Sequence, residues 1–271
     1  MTGTDAMKTQ SANRRRGLVV QARDFTVLHE LATMRVADRE QVKIAAGFNS
    51  TTRANARLLA LAEAGLLRRY FLGTGGGRKA LYSLAPKGAR IIEVPCRGPR
   101  RAQNAMLAAD FFIEHQLRVN ALYCALKFGA IPAHGIRFAN WIAFHEPLTP
   151  ALRLIPDGYV ELSSPTGIDG AFIEADLGNE GLPIWKVKAK NYLQLAMSGE
   201  YERLFRHPRF RVLVLLNSER RLRSVRAAVA QVTEKIFWFA TFDAAKGDKF
   251  FAPVWQRPTG ETYQPLFKET R

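Results

Sequence analysis

"PDGYVELSSPTGIDGAFIEADLGN", residues 156–179, decides the reading of this chain. "LIPDGYVEL" and "GAFIEADLG" both look like strands, and residues two apart on a strand share a face. Glu174 and Asp176 therefore point together, and Asp157, just after a proline, stands at the start of the other strand. A lysine-studded helix candidate, "EGLPIWKVKAKNYLQL", follows from Glu180. Acids on strands beside a basic helix raise the question of a divalent-metal site for cutting nucleic acid. Pro-Asp-Gly is also an ordinary turn signal, so a turn residue at Asp157 and a solvated acidic edge at Glu174 and Asp176 stay open.

Working outward, "NAMLAADFFIEHQLRVNALYCALKFG" carries an apolar helical stripe through Leu107, Phe111 and Leu122 and ends at Gly129. "GIRFANWIAFHEP" reads as a strand, residues 182–205 as one helix, "FRVLVLLN" as a buried strand, "ERRLRSVRAAVAQVTEK" as a helix and "IFWFATF" as a last strand. That alternation predicts strands sandwiched by helices.

The acids in this layout resemble the PD-(D/E)xK nuclease superfamily, with its restriction-endonuclease-like core. Pro156-Asp157 matches its first motif, and Glu174-Ala175-Asp176 stands at its second. The resemblance implies Asp157, Glu174 and Asp176 as ligands of one ion. Carboxylates without a His or Cys cluster favour Mg²⁺ or Mn²⁺ over zinc. Asp176 occupies the superfamily's lysine position, and some branches move that charge to the neighbouring helix. Lys186, Lys188 and Lys190 are the candidates; Lys188 shares a helix face with Tyr192. The expectation is Lys188 as the catalytic cation, with Tyr192 orienting it or touching a phosphate. An ammonium within about 4–5 Å of Glu174 would support this, because more distant charges in a wet site couple weakly. His115, inside an apolar helix, reads either as a packed histidine bonded to backbone or as a base. Adjacent helix positions point about 100° apart, so at most one of Glu114 and His115 faces the site fully.

The first half reads differently. Phe25, Leu28, Leu31 and Ala32 recur at helical spacing, "ADREQVKIAAG" gives a short helix closed by Gly47, and a third helix runs from Asn49 or Ser50 to Gly65. Leu58, Leu59, Leu61 and Leu66 are its candidate core residues. "LLRRYFL", "GTGGGRK" and "ALYSLAPKG" then predict a hairpin. Arg78 stands where a phosphate loop needs glycine, and no Ser or Thr follows Lys79, so nucleotide binding there is excluded. Three helices and a hairpin over residues 22–95 resemble the winged helix-turn-helix family. That resemblance implies groove contacts from Thr52, Arg53, Asn55 and Arg57 and wing contacts from Arg78 and Lys79. Such domains also serve as protein-docking modules, and they often read paired half-sites as homodimers.

Charge agrees with a polyanionic partner. The 271 residues hold 40 Lys/Arg and 24 Asp/Glu, a net of +16. Residues 1–103 carry 19 Lys/Arg against 7 Asp/Glu, a net of +12, and the remainder only +4. Double-stranded DNA is the expected partner; RNA lacks support, because no aromatic strand motif of the usual single-strand modules is present. Cys96 and Cys124 have no zinc-knuckle spacing, and a reducing cytoplasm is the expected setting. No apolar run approaches the about 20 residues that span a bilayer. The expected organisation is a flexible basic arm (1–17), a winged helix (18–95), a linker (96–103) and a nuclease-like domain (104–271). The fold class expected is α/β (α+β), an N-terminal winged helix-turn-helix followed by a restriction-endonuclease-like mixed sheet flanked by helices.

The whole set, "HQLRVNALYCAL" from His115, "IPDGYVEL", "FIEADLGNE" and "KAKNYLQL", resembles the replication-relaxation family of bacterial plasmids and mobile elements, from about Arg23 to Phe242. Gly178 fits that pattern; Leu177 stands where a basic residue is expected. The likeness implies DNA binding in element maintenance, a nucleoid- or plasmid-associated location, and replication or mobilisation proteins as partners. Two readings follow: a metal-dependent nuclease acting on element DNA, or a non-catalytic regulator or replication accessory factor whose second domain docks partners.

Overall fold

The computed structural model describes residues 18–74, 77–99, 106–107, 111–132 and 135–267. The basic arm expected at 1–17 lies outside them, as do residues 100–103 of the expected linker.

The chain opens with helix α1 (Ala22–Met34), whose Val27, Leu28, Leu31 and Met34 are buried. Phe25, expected in this core, is exposed. Arg35 turns the chain at φ 63° into the short strand β1 (Ala37–Asp38). Helix α2 (Arg39–Ala45) is capped by Asp38, whose carboxylate accepts the Gln41 N–H at 2.8 Å. Helix α3 (Thr51–Glu63) starts at the Ser50 cap and buries Ala54, Leu58, Leu61 and Ala62. Leu59 faces solvent instead of the core, one residue round from the buried Leu58. Strands β2 (Leu67–Thr74) and β3 (Gly77–Leu84) form the antiparallel hairpin, paired from Leu67–Leu84 outward, and β1 pairs with β3. The expected order of three helices and a hairpin is present. Helix α4 (Pro86–Ile91) and strand β4 (Met106–Leu107), parallel to β2, follow.

Helix α5 (Phe111–Phe128) begins later than the sequence suggested, since Leu107 belongs to β4. It leads into a seven-stranded sheet of β5 (Arg137–Ile142), β6 (Gly158–Ser164), β7 (Gly167–Asp176), β8 (Phe210–Leu216), β9 (Phe237–Thr241), β10 (Trp255–Gln256) and β11 (Tyr263–Gln264), neighbours in that order. β5, β6 and β7 are antiparallel, while β7, β8 and β9 are parallel. Helices α6 (Leu182–Met197) and α7 (Glu200–Phe205) cross from β7 to β8, and α8 (Glu219–Ala230) crosses from β8 to β9. The expected mixed sheet between helices is present. The single helix expected over 182–205 is two, because Gly199 takes φ 74° and breaks it.

The sheet has two buried faces. Tyr159, Phe172, Val212, Val214 and Phe239 pack with Trp185, Tyr192 and Leu195 of α6 and Leu222, Val225 and Val229 of α8. Val160, Ile173, Leu213 and Leu215 pack with Leu122 and Leu126 of α5 and with Phe250 and Trp255. Alternation along each strand produces this division. No helix among the described residues is long and apolar enough to cross a membrane.

Candidate functional site

The β6–β7 register brings the acids together. The pairing ends at Gly158 opposite Ile173, and Asp157, one residue before it, donates its N–H to the Ile173 carbonyl at 3.1 Å, close enough to Glu174 for the two charges to interact. Asp157 Oδ2 accepts the Ala175 N–H at 2.7 Å and lies 3.1 Å from His115 Nε2 of α5, which also contacts the Ala175 carbonyl at 3.0 Å. Two acceptors on one ring nitrogen mean that Nε2 carries a proton. Of the adjacent pair on α5, His115 therefore faces the acids and Glu114 faces solvent.

Glu174 is 1% exposed. Lys188 Nζ donates to its Oε2 at 2.8 Å, and the Tyr192 hydroxyl donates to its Oε1 at 2.6 Å. Lys188 and Tyr192 thus do share the face of α6 that meets β7, and the ammonium lies well inside the expected distance. Tyr192 is fully buried and so positions Glu174; it is not placed to touch a phosphate. Burial pushes the Glu174 carboxyl up to about 7, with Lys188 pulling it down and the facing Asp157 adding to the rise. For Lys188, burial opposes the charge, but the Glu174 and Glu180 carboxylates outweigh it and its pKa lies above the usual lysine range.

Asp176 does not join the other two. Although it shares the strand face with Glu174, its Oδ2 accepts Trp185 Nε1–H at 2.7 Å and Arg221 Nη2–H at 2.6 Å. The guanidinium of α8 neutralises it, and the indole lies beside the Lys188 ammonium, 4.9 Å from ring centroid to Nζ. Asp176 is thus bonded to Trp185 and Arg221, and among the described residues no three His, Cys, Asp or Glu side chains are gathered for a metal. Glu180, which the sequence reading passed over, approaches instead. Its Oε1 accepts from Lys188 at 2.8 Å, and its Oε2 is buried without a hydrogen-bond partner. Arg221 and Glu180 carried a usable signal, since a buried Asp at a lysine position demands a cation from a neighbouring helix, and Glu180 directly precedes α6. Lys186 and Lys190 take no part in these contacts.

The residues expected on DNA divide in the first half. Thr52, Arg53 and Asn55 are exposed along the first turns of α3, and Arg78 is exposed on β3. Arg57 is not a free groove contact: its Nε donates to Asp24 Oδ1 at 2.8 Å, and Nη2 bonds Asp24 Oδ2 and the Val19 carbonyl. Lys79, half exposed, pairs with Asp38 at 2.6 Å and fastens the hairpin to the cap of α2. Arg23, Arg53 and Arg57 line a cavity of about 370 Å³ with Phe48 on its wall.

A family model described as replication-relaxation matches residues 28–206. Neither the curated proteins nor the solved structures provide a match.

Proposed function

Because this chain belongs to the replication-relaxation family, we propose that it is a DNA-binding replication protein of a plasmid or other mobile element. In this reading residues 18–95 are a winged helix-turn-helix that docks on duplex DNA, and the larger sheet is a PD-(D/E)xK nuclease core. The observation that carries it is the Lys188 ammonium 2.8 Å from Glu174, at the end of the β6–β7 ladder where Asp157 lies.

The donor set fits Mg²⁺ or Mn²⁺. Asp157 and Glu174 are hard oxygen donors, and Mg²⁺ characteristically takes one or two carboxylates with the rest of its shell from water and phosphate. Asp157 and Glu174 would hold the ion, and Asp176, bonded to Arg221 and Trp185, would not. When bound, the ion supplies Lewis-acid polarisation of the phosphate and a more acidic water. The side chains do the remaining work. His115 and the Ala175 N–H fix the Asp157 carboxylate. Tyr192 fixes Glu174 from the core side. Lys188, held charged between two carboxylates, is no proton acceptor at neutral pH and serves to offset negative charge developing on the phosphate.

A second reading has its own support: both Glu174 oxygens are bonded within a buried network and Asp176 is neutralised by Arg221, as in a scaffold kept for stability. It makes the protein a non-catalytic winged-helix regulator or replication accessory factor. Cleavage of supercoiled and linear DNA with Mg²⁺ or Mn²⁺ separates the two, comparing wild type with Asp157→Ala, Glu174→Ala and Lys188→Ala. The expected result is metal-dependent nicking, reduced at least about 100-fold in each variant, with DNA affinity largely kept. Binding without any metal-dependent cleavage would establish the accessory reading instead.

A further inference from the structure

Three cationic or proton-donating side chains meet where the hairpin half adjoins the larger sheet. Arg35 Nε donates to the Arg97 carbonyl at 3.5 Å, and His145 feels the charge of both guanidiniums. Neither Arg35 nor Arg97 has an ion pair among the described residues, and Glu146, the acid that acts on His145, is exposed. Like charges crowded together are unfavourable unless an anion joins them. Burial and the neighbouring Arg97 lower the Arg35 pKa, in keeping with that crowding.

The site is built, because the segment bearing Arg97 is clamped. Cys96 Sγ–H donates to the Leu84 carbonyl at 3.3 Å, and the Tyr70 hydroxyl and Arg68 Nη1 donate to the Pro99 carbonyl at 2.8 and 3.3 Å. Gly98 lies so close to β3 that a Cβ there would meet Ser83 Oγ at 2.7 Å. Arg97 and His145 line a cavity of about 390 Å³ together with Glu146 and an apolar wall that includes Phe144, Leu148 and Phe205, and Arg35 borders it through its bond to the Arg97 backbone. That is within the range of ligand cavities.

Its location relates it to the acids. Phe144, on the cavity wall, packs against Phe172, two residues before Glu174 on β7, with ring centroids 6.3 Å apart. On α5 the Phe112 ring lies under the Arg35 guanidinium at 4.6 Å, and His115, three residues on, contacts Asp157. Residues three apart on a helix are neighbours, so the cationic cleft and the acids are one helical turn apart.

We propose that the cleft lined by Arg97 and His145, with Arg35 at its border, binds a backbone phosphate of the DNA strand, next to the phosphate presented to Asp157 and Glu174. This rests on the DNA reading above. It makes the junction between the halves, and not only α3 and the hairpin, a surface that grips the strand. The apolar wall faces the base or sugar of the same nucleotide.

The test uses the full chain and a duplex oligonucleotide, with affinity measured over about 50–200 mM salt for wild type, Arg97→Gln and Arg35→Gln/Arg97→Gln. Each lost phosphate contact lowers the slope of log affinity against log salt by about 0.9. The expected losses are therefore about one unit and about two, with the His145 imidazole NMR signal shifting on DNA addition in wild type but not in the double variant. Arg97 lies on an exposed loop, so its single variant reads the site even if the Arg35 change perturbs folding. Unchanged slopes with DNA binding intact overturn the proposal. Should wild type bind no duplex, the docking reading fails on its own, and inorganic phosphate followed by His145 decides the cleft. A saturable shift abolished in the double variant supports an anion site there, and no shift overturns it.

Discussion

Asp24 and Arg57 show how one residue's role depends on an element far off in sequence. Arg57 has the position of a groove-reading side chain on α3, yet its guanidinium closes on the Asp24 carboxylate of α1, which is 1% exposed. Spacing within α3 cannot reveal a partner 33 residues earlier, which is why the sequence placed Arg57 on DNA. Lys188 and Tyr192 were readable because their partner lies on an adjacent element and the four-residue spacing sets their face. Burial raises the Asp24 pKa, but hydrogen bonds from Arg57 and the Gln21 N–H and the charges of Arg57 and Arg23 outweigh it, so the net shift is downward from the ordinary 3.8. A depressed acid stabilises the fold above its unfolded pKa, and that contribution is lost as pH falls through the folded one. Asp24→Asn should therefore cost roughly 2 kcal/mol at neutral pH. Urea unfolding from neutral pH downward should show the gap to wild type closing below about pH 4. A gap constant across that range would remove the ion pair from the stability account. Arg53 keeps its expected role open, because no ion pair ties its side chain down among the described residues.

At the level of elements, the central strands were legible because β7 and β8 alternate two buried faces or run apolar throughout, and the helices between them carry caps such as Ser218. The two-residue strands β10 and β11 were not legible, since such short pairings exist only where a neighbour offers its edge. The break between α6 and α7 had a signal in Ser198-Gly199 that an uninterrupted apolar pattern concealed. Close packing of β6, β7 and α7 explains another glycine. A Cβ at Gly170 would lie 2.3 Å from both the Tyr159 and Tyr201 hydroxyls, which bond one another at 2.8 Å. Neither ring can yield, as each packs on Phe172 and Phe205. Gly170→Ala should destabilise the protein by roughly 1–3 kcal/mol through overpacking, seen as a lower denaturation midpoint with an unchanged slope. A midpoint equal to wild type would mean that α7 moves aside freely. The same shift would disturb Tyr159, two residues from Asp157, so metal-dependent cleavage measured in parallel reports how rigidly the strand must hold that acid.

For the whole molecule, the boundary that composition suggested at residues 96–103 is crossed by packing. Tyr123 and Cys124 of α5 belong to the core of the first three helices, while Leu122 and Leu126 belong to the core of the large sheet. Apolar residues all round a helix indicate burial on several sides, and "VNALYCALKF" has that character; the sequence reading took only one stripe from it. Polar contacts reinforce the joint: Tyr123 and Lys127 bond Glu30 at 2.6 and 2.7 Å, and Asn120 Nδ2 donates to the Met34 and Val36 carbonyls at 3.1 and 2.7 Å. One helix thus connects the proposed DNA-docking half to His115 and Asp157, so DNA held on α3 and the hairpin has a fixed bearing on the acids. Coupling of this kind predicts that the halves unfold together, with calorimetry giving one transition and far- and near-ultraviolet signals coinciding. Asn120→Ala leaves two buried carbonyls without their donor and should cost roughly 2 kcal/mol, shifting that single transition to lower temperature as a unit. If α5 were only appended to the large sheet, the variant would instead split the transition and lower the first part alone. DNA held by the first half would then have no fixed position relative to Asp157 and Glu174.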